Sequence, residues 1–173
     1  NRYFVPKNLR AAVRVLRAAG YRAVLPEVKG RPLCCGRTYL AAGQVDKARA
    51  EARRTMAALS GDLPVVGLEP SCTMTLRDEF RSMLPGEQAD RLADRTMLLS
   101  EFLAKHDHDL APTTMPQTAH IHGHCHQKSF GAFPDAVSAL KLVPDLAVKP
   151  IVSSCCGMAG SFGYQSETQN VSK

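Results

Sequence analysis

Six cysteines carry most of the chemistry open to this 173-residue chain, and their spacing is uneven. Four of them fall in two doublets, Cys34-Cys35 and Cys155-Cys156, each followed at once by a glycine, Gly36 or Gly157, while Cys72 and Cys125 stand alone. Neighbouring cysteines rarely bond to each other, because disulfide geometry is hard to meet across one peptide link. A secreted disulfide scaffold would also be shorter, richer in loops and denser in cysteine. Thiolates are soft, strongly donating ligands that select zinc, copper(I) or iron–sulfur assemblies over hard ions. The expectation is therefore a metal site in a reducing, cytoplasmic compartment, with Cys34, Cys35, Cys72, Cys125, Cys155 and Cys156 as ligands. Gly36 and Gly157 suit that site, since a residue without a β-carbon takes positive φ and lets backbone N–H groups approach sulfur. Adjacent thiolates do not readily form two corners of a cage built on C-x-x-C spacing. They point instead to two metal atoms, bridged or separately bound, in a less regular cluster.

Imidazole is available beside Cys125, in "HIHGHCH" (120–126). His122, His124 and His126 alternate with period two and would share one face of a strand. His124 and His126 are candidate ligands or proton donors, and a histidine next to a cysteine also lowers the thiol pKa. His122 is expected in support, and the plainer alternative is that these rings satisfy buried carbonyls. His106 and His108 receive no role. Glu69, in "GLEPSC", would orient a neighbouring histidine or relay a proton, or else act as a carboxylate at a helix N-terminus. Lys128 and Ser129 read as caps of the next helix, and Met158, Phe162 and Tyr164 as apolar packing around the site.

The elements that must position these residues alternate between helix and strand. "RYFV" (2–5) reads as the end of a strand. Pro6 then opens a helix whose stripe of Leu9, Ala12, Val13, Leu16 and Ala19 ends at Gly20. "RAVLPEV" (22–28) reads as a strand leading into the first Cys-Cys-Gly loop. "VDKARAEARRTMAAL" (45–59) is helical, with Ala48, Ala52, Met56 and Leu59 inward, and "LPVVGLE" (63–69) is a short strand delivering Cys72. Residues 73–105 read as helix broken at Pro85-Gly86, with Leu92, Met97, Leu98, Leu99, Phe102 and Leu103 buried. "HDHDLAPTTMPQT" is polar and aperiodic. Beyond it come "AHIHGHC" as strand and turn, "FPDAVSALKL" as helix and "DLAVKPIVS" as strand, before the second Cys-Cys-Gly.

This order repeats. Cys125 stands 30 residues before Cys155, and Asn1 stands 33 before Cys34. Strand, helix, strand and Cys-Cys-Gly thus occur twice, predicting an α/β fold of two pseudo-repeated units with a largely parallel sheet and the cysteine loops at the carboxyl ends of strands, where ligands gather. The expected division is a first repeat with extra helices over 1–104, a linker over 105–117 and a truncated second repeat over 118–173, or one compact domain. An Asn at position 1 and a stop 16 residues after Gly157 suggest a chain cut from something longer.

Composition narrows the classes. With 45% hydrophobic and 22% charged residues the chain can bury a real core. No run of roughly 18 uncharged apolar residues encodes a membrane span, and no secretory leader is visible. The formal charge of +6 raises nucleic acid as a partner. Yet Arg10, Arg14 and Arg17 lie along one helical stripe without interleaved aromatics, and no nucleic-acid motif occurs, so a solvated or docking face is the reading and no nucleic acid is expected.

"CCG" twice, with single flanking cysteines, together with "GLEPSC", "HGHCHQKS" and "SSCCGMAGSFG", resembles the cysteine-rich CCG domain of the type found in heterodisulfide reductase and in the iron–sulfur subunit of glycolate oxidase. The wording is most similar to the C-terminal part of large FAD-linked 2-hydroxyacid dehydrogenases. The resemblance implies electron transfer. A separate flavin domain oxidises a 2-hydroxy acid such as D-lactate, glycolate or D-2-hydroxyglutarate, a conventional iron–sulfur domain carries electrons, and the CCG domain acts at the far end, with peripheral association to a membrane electron acceptor. In heterodisulfide reductase relatives a full motif binds a non-cubane [4Fe–4S] cluster through a leading Cys, the doublet and a trailing C-x-x-C. By that match Cys34 and Cys35 are the first doublet, Cys72 the first trailing ligand, Cys125 the second leading ligand, and Cys155 and Cys156 the second doublet. The pattern departs at Asn1, where a leading Cys would fall, and at Thr73, Met74 and Thr75, which halve the trailing C-x-x-C. Neither copy offers five thiols, so one site shared by the six cysteines is one expectation and a zinc site helped by imidazole is another. Thiol exchange by the doublets is a third. No Gly-rich dinucleotide fingerprint or flavin segment is present, so this chain alone is not expected to turn over a hydroxy acid.

Overall fold

Pro6 needs no N–H partner at a helix start, and helix α1 (Pro6–Ala18) begins there. Its inner stripe buries Ala12 and Leu16, with Ala19 beyond it. Gly20, with φ of +86°, closes the helix while the Tyr21 N–H returns to the Leu16 carbonyl at 2.9 Å. The computed structural model describes residues 5–28, 30–153, 158 and 162–172. Asn1, most of the expected strand end at 2–5, Cys155, Cys156, Gly157 and the side chain of Tyr164 lie outside the described residues. The chain divides into two units, residues 1–111 and 112–173.

In the first unit, α2 (Arg37–Ala41) and α3 (Val45–Ala58) pack together, and Ala48 and Ala52 of α3 are fully buried. The short strand β1 (Val65–Gly67) leads into α4 (Pro70–Arg77), followed by α5 (Glu79–Met83) and α6 (Glu87–Asp94) on either side of the Pro85-Gly86 break. Strand β2 (Thr96–Leu98) pairs with β1 in parallel, Val65 opposite Thr96 and Gly67 opposite Leu98, and α7 (Leu99–Lys105) follows. Ala48, Ala52, Leu76, Phe80, Met83 and Leu92 make one core cluster, and Cys35 belongs to it.

Two expectations fail here. Residues 22–28 form no strand: Val24 and Leu25 are exposed, and no described strand pairs with them. Pro26 removes a ladder donor from that short run. Cys34 and Cys35 therefore do not leave the carboxyl end of a strand. The helical reading of 73–105 fails at Thr96–Leu98, which is extended. A three-residue apolar run carries no period of its own, and β1 needs a partner that Thr96, Met97 and Leu98 supply.

The second unit contains β3 (Thr118–Ile121) and β4 (Ala147–Pro150), parallel with Thr118 opposite Ala147, joined through α8 (Cys125–Ser129) and α9 (Phe133–Leu140). Two single 3-10 turns and α10 (Gln169–Ser172) follow. The fold is mixed α/β with small parallel sheets, as expected in class, although the sheets are two-stranded among the described residues. No described helix is long and apolar enough to cross a membrane.

Candidate functional site

The first doublet is held by α3. Thr55 donates its hydroxyl to the Cys34 carbonyl at 2.8 Å. One turn earlier on the same face, the buried Glu51 carboxylate binds Arg54 at 2.8 Å and also the Arg31 guanidinium. Arg54 in turn donates to the carbonyls of Arg31, at 2.9 Å, and Pro32. A clamp of three charged groups thus fixes the strand-less segment that delivers Cys34 and Cys35. The Arg31 bond, joined by Arg54, holds the Glu51 carboxyl below the usual carboxylate range and outweighs burial.

Gly36 turns the chain immediately after the doublet. Its φ is +80°, and a β-carbon there would meet the Ala48 carbonyl oxygen at 2.8 Å. Its N–H points to the Cys34 sulfur at 3.4 Å. The expected donation of backbone N–H to sulfur is present at this glycine, and the close approach of α3 is a second reason for it.

Cys72 comes to the doublet from the other direction. β1 ends at Gly67, the chain turns, and Glu69 caps α4 by accepting the N–H groups of Ser71 at 3.1 Å and Cys72 at 2.6 Å. Partial burial pushes the Glu69 carboxyl up, but those donors outweigh it and hold it below its ordinary value. Glu69 therefore does the helix-terminal work, and no histidine contact to it is seen among the described residues. The cap places the Cys72 sulfur 3.4 Å from the Cys35 sulfur, across 37 residues of sequence. Both are free thiols, one exposed and one buried. The Cys72 contact lowers the Cys35 thiol to about 7. The same contact, with the Glu69 carboxylate nearby, holds the Cys72 thiol up, so the pair gives up one proton readily and keeps the other.

In the second unit Cys125 is the first residue of α8, reached from the carboxyl end of β3. His124 is the cap: its Nδ1 accepts the His126 N–H at 3.2 Å, and its own N–H donates to the Gln127 side chain at 3.1 Å. His122, His124 and His126 therefore do not share a strand face, because β3 stops at Ile121 and a helix begins at Cys125. The His124 and His126 rings still meet edge to face at 5.2 Å. His122 Nδ1 lies 2.9 Å from the Ser153 hydroxyl, and its buried Nε2 has no hydrogen-bond partner among the described residues. Ser153 stands two residues before Cys155.

Among the described residues no three Cys, His, Asp or Glu side chains close on one point as a metal cage. What the structure does bring together is the Cys35–Cys72 pair. Two thiolates on one tetrahedral metal with bonds of about 2.3 Å lie about 3.8 Å apart, so this pair fits as part of a thiolate ligand set. Sequence reasoning missed Arg31, Glu51, Arg54 and Thr55. A charged residue and a threonine on the inner stripe of α3, between Ala48, Ala52 and Met56, were the signal that could have found them.

A family model described as a cysteine-rich domain, CCG, matches residues 1–77. A component of the anaerobic glycerol-3-phosphate dehydrogenase of Escherichia coli K12, its third or C chain, is 27% identical over 99% of this chain, which spans 44% of that relative. Lactate utilization protein A of Bacillus velezensis is 28% identical over 90% of this chain and 68% of its own length. D-2-hydroxyglutarate dehydrogenase of Pseudomonas putida is 27% identical over 99% of this chain and 17% of its own length. No solved structure matches.

Proposed function

Since residues 1–77 belong to the cysteine-rich CCG family, we propose that this chain is an iron–sulfur electron-transfer module of an FAD-linked oxidoreductase acting on a 2-hydroxy acid. The observation that carries this reading is the approach of Cys35 and Cys72 to 3.4 Å from distant segments, with the Gly36 N–H on the neighbouring Cys34 sulfur. Cys34, Cys35 and Cys72 are the thiolates of the first unit, and Cys125, Cys155 and Cys156 those of the second. His124 and His126 supplement the second set, with His122 behind them. A cluster of the non-cubane [4Fe–4S] kind would supply one-electron redox chemistry when bound. The chain's own residues hold it: Glu69 fixes Cys72 on α4, the Glu51 clamp fixes the doublet, and the Cys35 side chain is kept from water.

The names of the relatives support the oxidoreductase context and a substrate such as D-lactate, glycolate or D-2-hydroxyglutarate. FAD and a conventional iron–sulfur domain are the implied partners elsewhere in the enzyme, on the cytoplasmic side and with a peripheral membrane acceptor. The pseudo-repeat is supported by order: helix, extended segment and Cys-Cys-Gly in the first unit, α9, β4 and Cys-Cys-Gly in the second. Anaerobic purification followed by iron and acid-labile sulfide analysis tests the reading. Iron with matching sulfide is expected, with less of both in Cys34→Ser, Cys35→Ser or Cys72→Ser. Intact thiols that never take up metal would reject it.

The imidazoles around Cys125 favour a second reading, structural zinc. Stoichiometric zinc that survives mild chelation, with no sulfide, would select it.

A further inference from the structure

The Cys35–Cys72 contact has a chemistry that metal ligation does not use. Cys34 cannot readily reach Cys35 in a bond across one peptide, and its sulfur faces the Gly36 N–H. Cys72 is exposed at the start of α4, whereas Cys35 is buried in the first unit's core cluster beside it. Their sulfurs are 3.4 Å apart, and a disulfide of about 2.05 Å asks for roughly 1.3 Å of closure. Side-chain rotation at the exposed Cys72 can provide that movement, since the backbone of its helix start is tied by Glu69.

We propose that in the metal-free protein Cys35 and Cys72 form a dithiol–disulfide couple that reacts with low-molecular-weight disulfides of the glutathione class. The exposed Cys72, as thiolate with its proton released to solvent, attacks one sulfur of oxidised glutathione, forming a mixed disulfide and expelling one glutathione thiolate. The Cys35 sulfur, losing its proton, then attacks the Cys72 sulfur and expels the second glutathione. Two protein thiols are oxidised, one glutathione disulfide is reduced to two thiols, and the released protons are taken up by the leaving thiolates at neutral pH. The product links the doublet loop to α4, withdrawing two candidate ligands and protecting both sulfurs from further oxidation. It rests on the Cys35–Cys72 geometry alone and holds whichever metal, if any, the reduced chain takes.

The test uses the full chain, reduced, stripped of metal with a chelator and exposed anaerobically to oxidised glutathione. Free thiols are then alkylated and the peptides mapped by mass spectrometry. The expected product joins the peptide containing Cys35 to that containing Cys72, two hydrogens lighter than the reduced pair and carrying no glutathione. Cys34→Ser forms the same link. Cys35→Ser instead accumulates a stable glutathione adduct on Cys72, several-fold above the wild type, which also shows that this variant's Cys72 remains reachable. Glutathione persisting on Cys72 in the wild type, a link through Cys34, or a link from Cys72 to any second-unit cysteine overturns the proposal. Metal uptake by the reduced chain is scored separately. Uptake without the link sinks the couple and leaves the metal reading standing, and the link without uptake does the reverse.

Discussion

Alanine at position 36 would carry two penalties. The first is conformational, since φ of +80° costs a residue with a β-carbon about 1–2 kcal/mol. The second is steric, because the new carbon would sit 2.8 Å from a backbone oxygen of α3 that cannot swing aside. Gly36→Ala should therefore lose more than about 2 kcal/mol in denaturant unfolding. A loss below half of that would mean α2 and α3 separate more easily than their packing implies. Glu51 makes a different demand, through pH. Its folded carboxyl is held below the ordinary value, first by Arg31 and then by Arg54. A depressed carboxyl stabilises the fold above the ordinary carboxylate range, and that contribution disappears as pH falls through the folded value. Melting temperature should then drop on acidification more steeply in the wild type than in Glu51→Gln, with the two converging at the acid end. Parallel curves would remove Glu51 from the clamp.

At the scale of elements, α4 depends on its cap. Replacing Glu69 by Ala frees the N–H groups of Ser71 and Cys72 and should cost about 1 kcal/mol. The same change loosens the Cys72 position, so the yield of Cys35–Cys72 cross-link should fall while Cys72 stays alkylatable. An unchanged yield would mean that β1 and α4 packing, not the carboxylate, sets the sulfur separation. Which elements were legible follows from such local signals. Pro6 and Gly20 bracket α1, the stripe of Ala48 and Ala52 marks α3, and "FPDAVSALKL" carries both a starting proline and a period. The run "RAVLPEV" has strand composition yet no partner, and "TML" has a partner yet too few residues to show a period. Strand identity in both cases is decided by pairing across sequence distance. The candidate site divides the same way. The cysteines and Gly36 announce themselves by type and spacing, and Glu69 as a cap by its place before Pro70. The clamp from Glu51 to Arg31 and Arg54 was hidden because a glutamate in a charged helix reads as solvated until a loop is known to cross it.

For the whole molecule, the division near residue 111 makes a claim about where stability resides. Every member of the Cys35-to-Leu92 core cluster belongs to the first unit, as do both strands of its sheet. Past α7 the chain is still attached to that unit, where the Tyr21 hydroxyl donates to the Asp107 carbonyl. By Met115 it is attached to the other, whose Pro144 carbonyl accepts the Met115 N–H at 2.9 Å. A unit that holds its own core, caps and sheet contains what cooperative folding requires. Residues 1–111 produced alone should therefore keep their helical circular dichroism, melt in a single cooperative transition, and form the Cys35–Cys72 link on exposure to oxidised glutathione. A broad, non-cooperative melt would locate part of the first unit's stability in residues 112–173, and the cysteines of the two halves would then have to be treated as features of one folding unit.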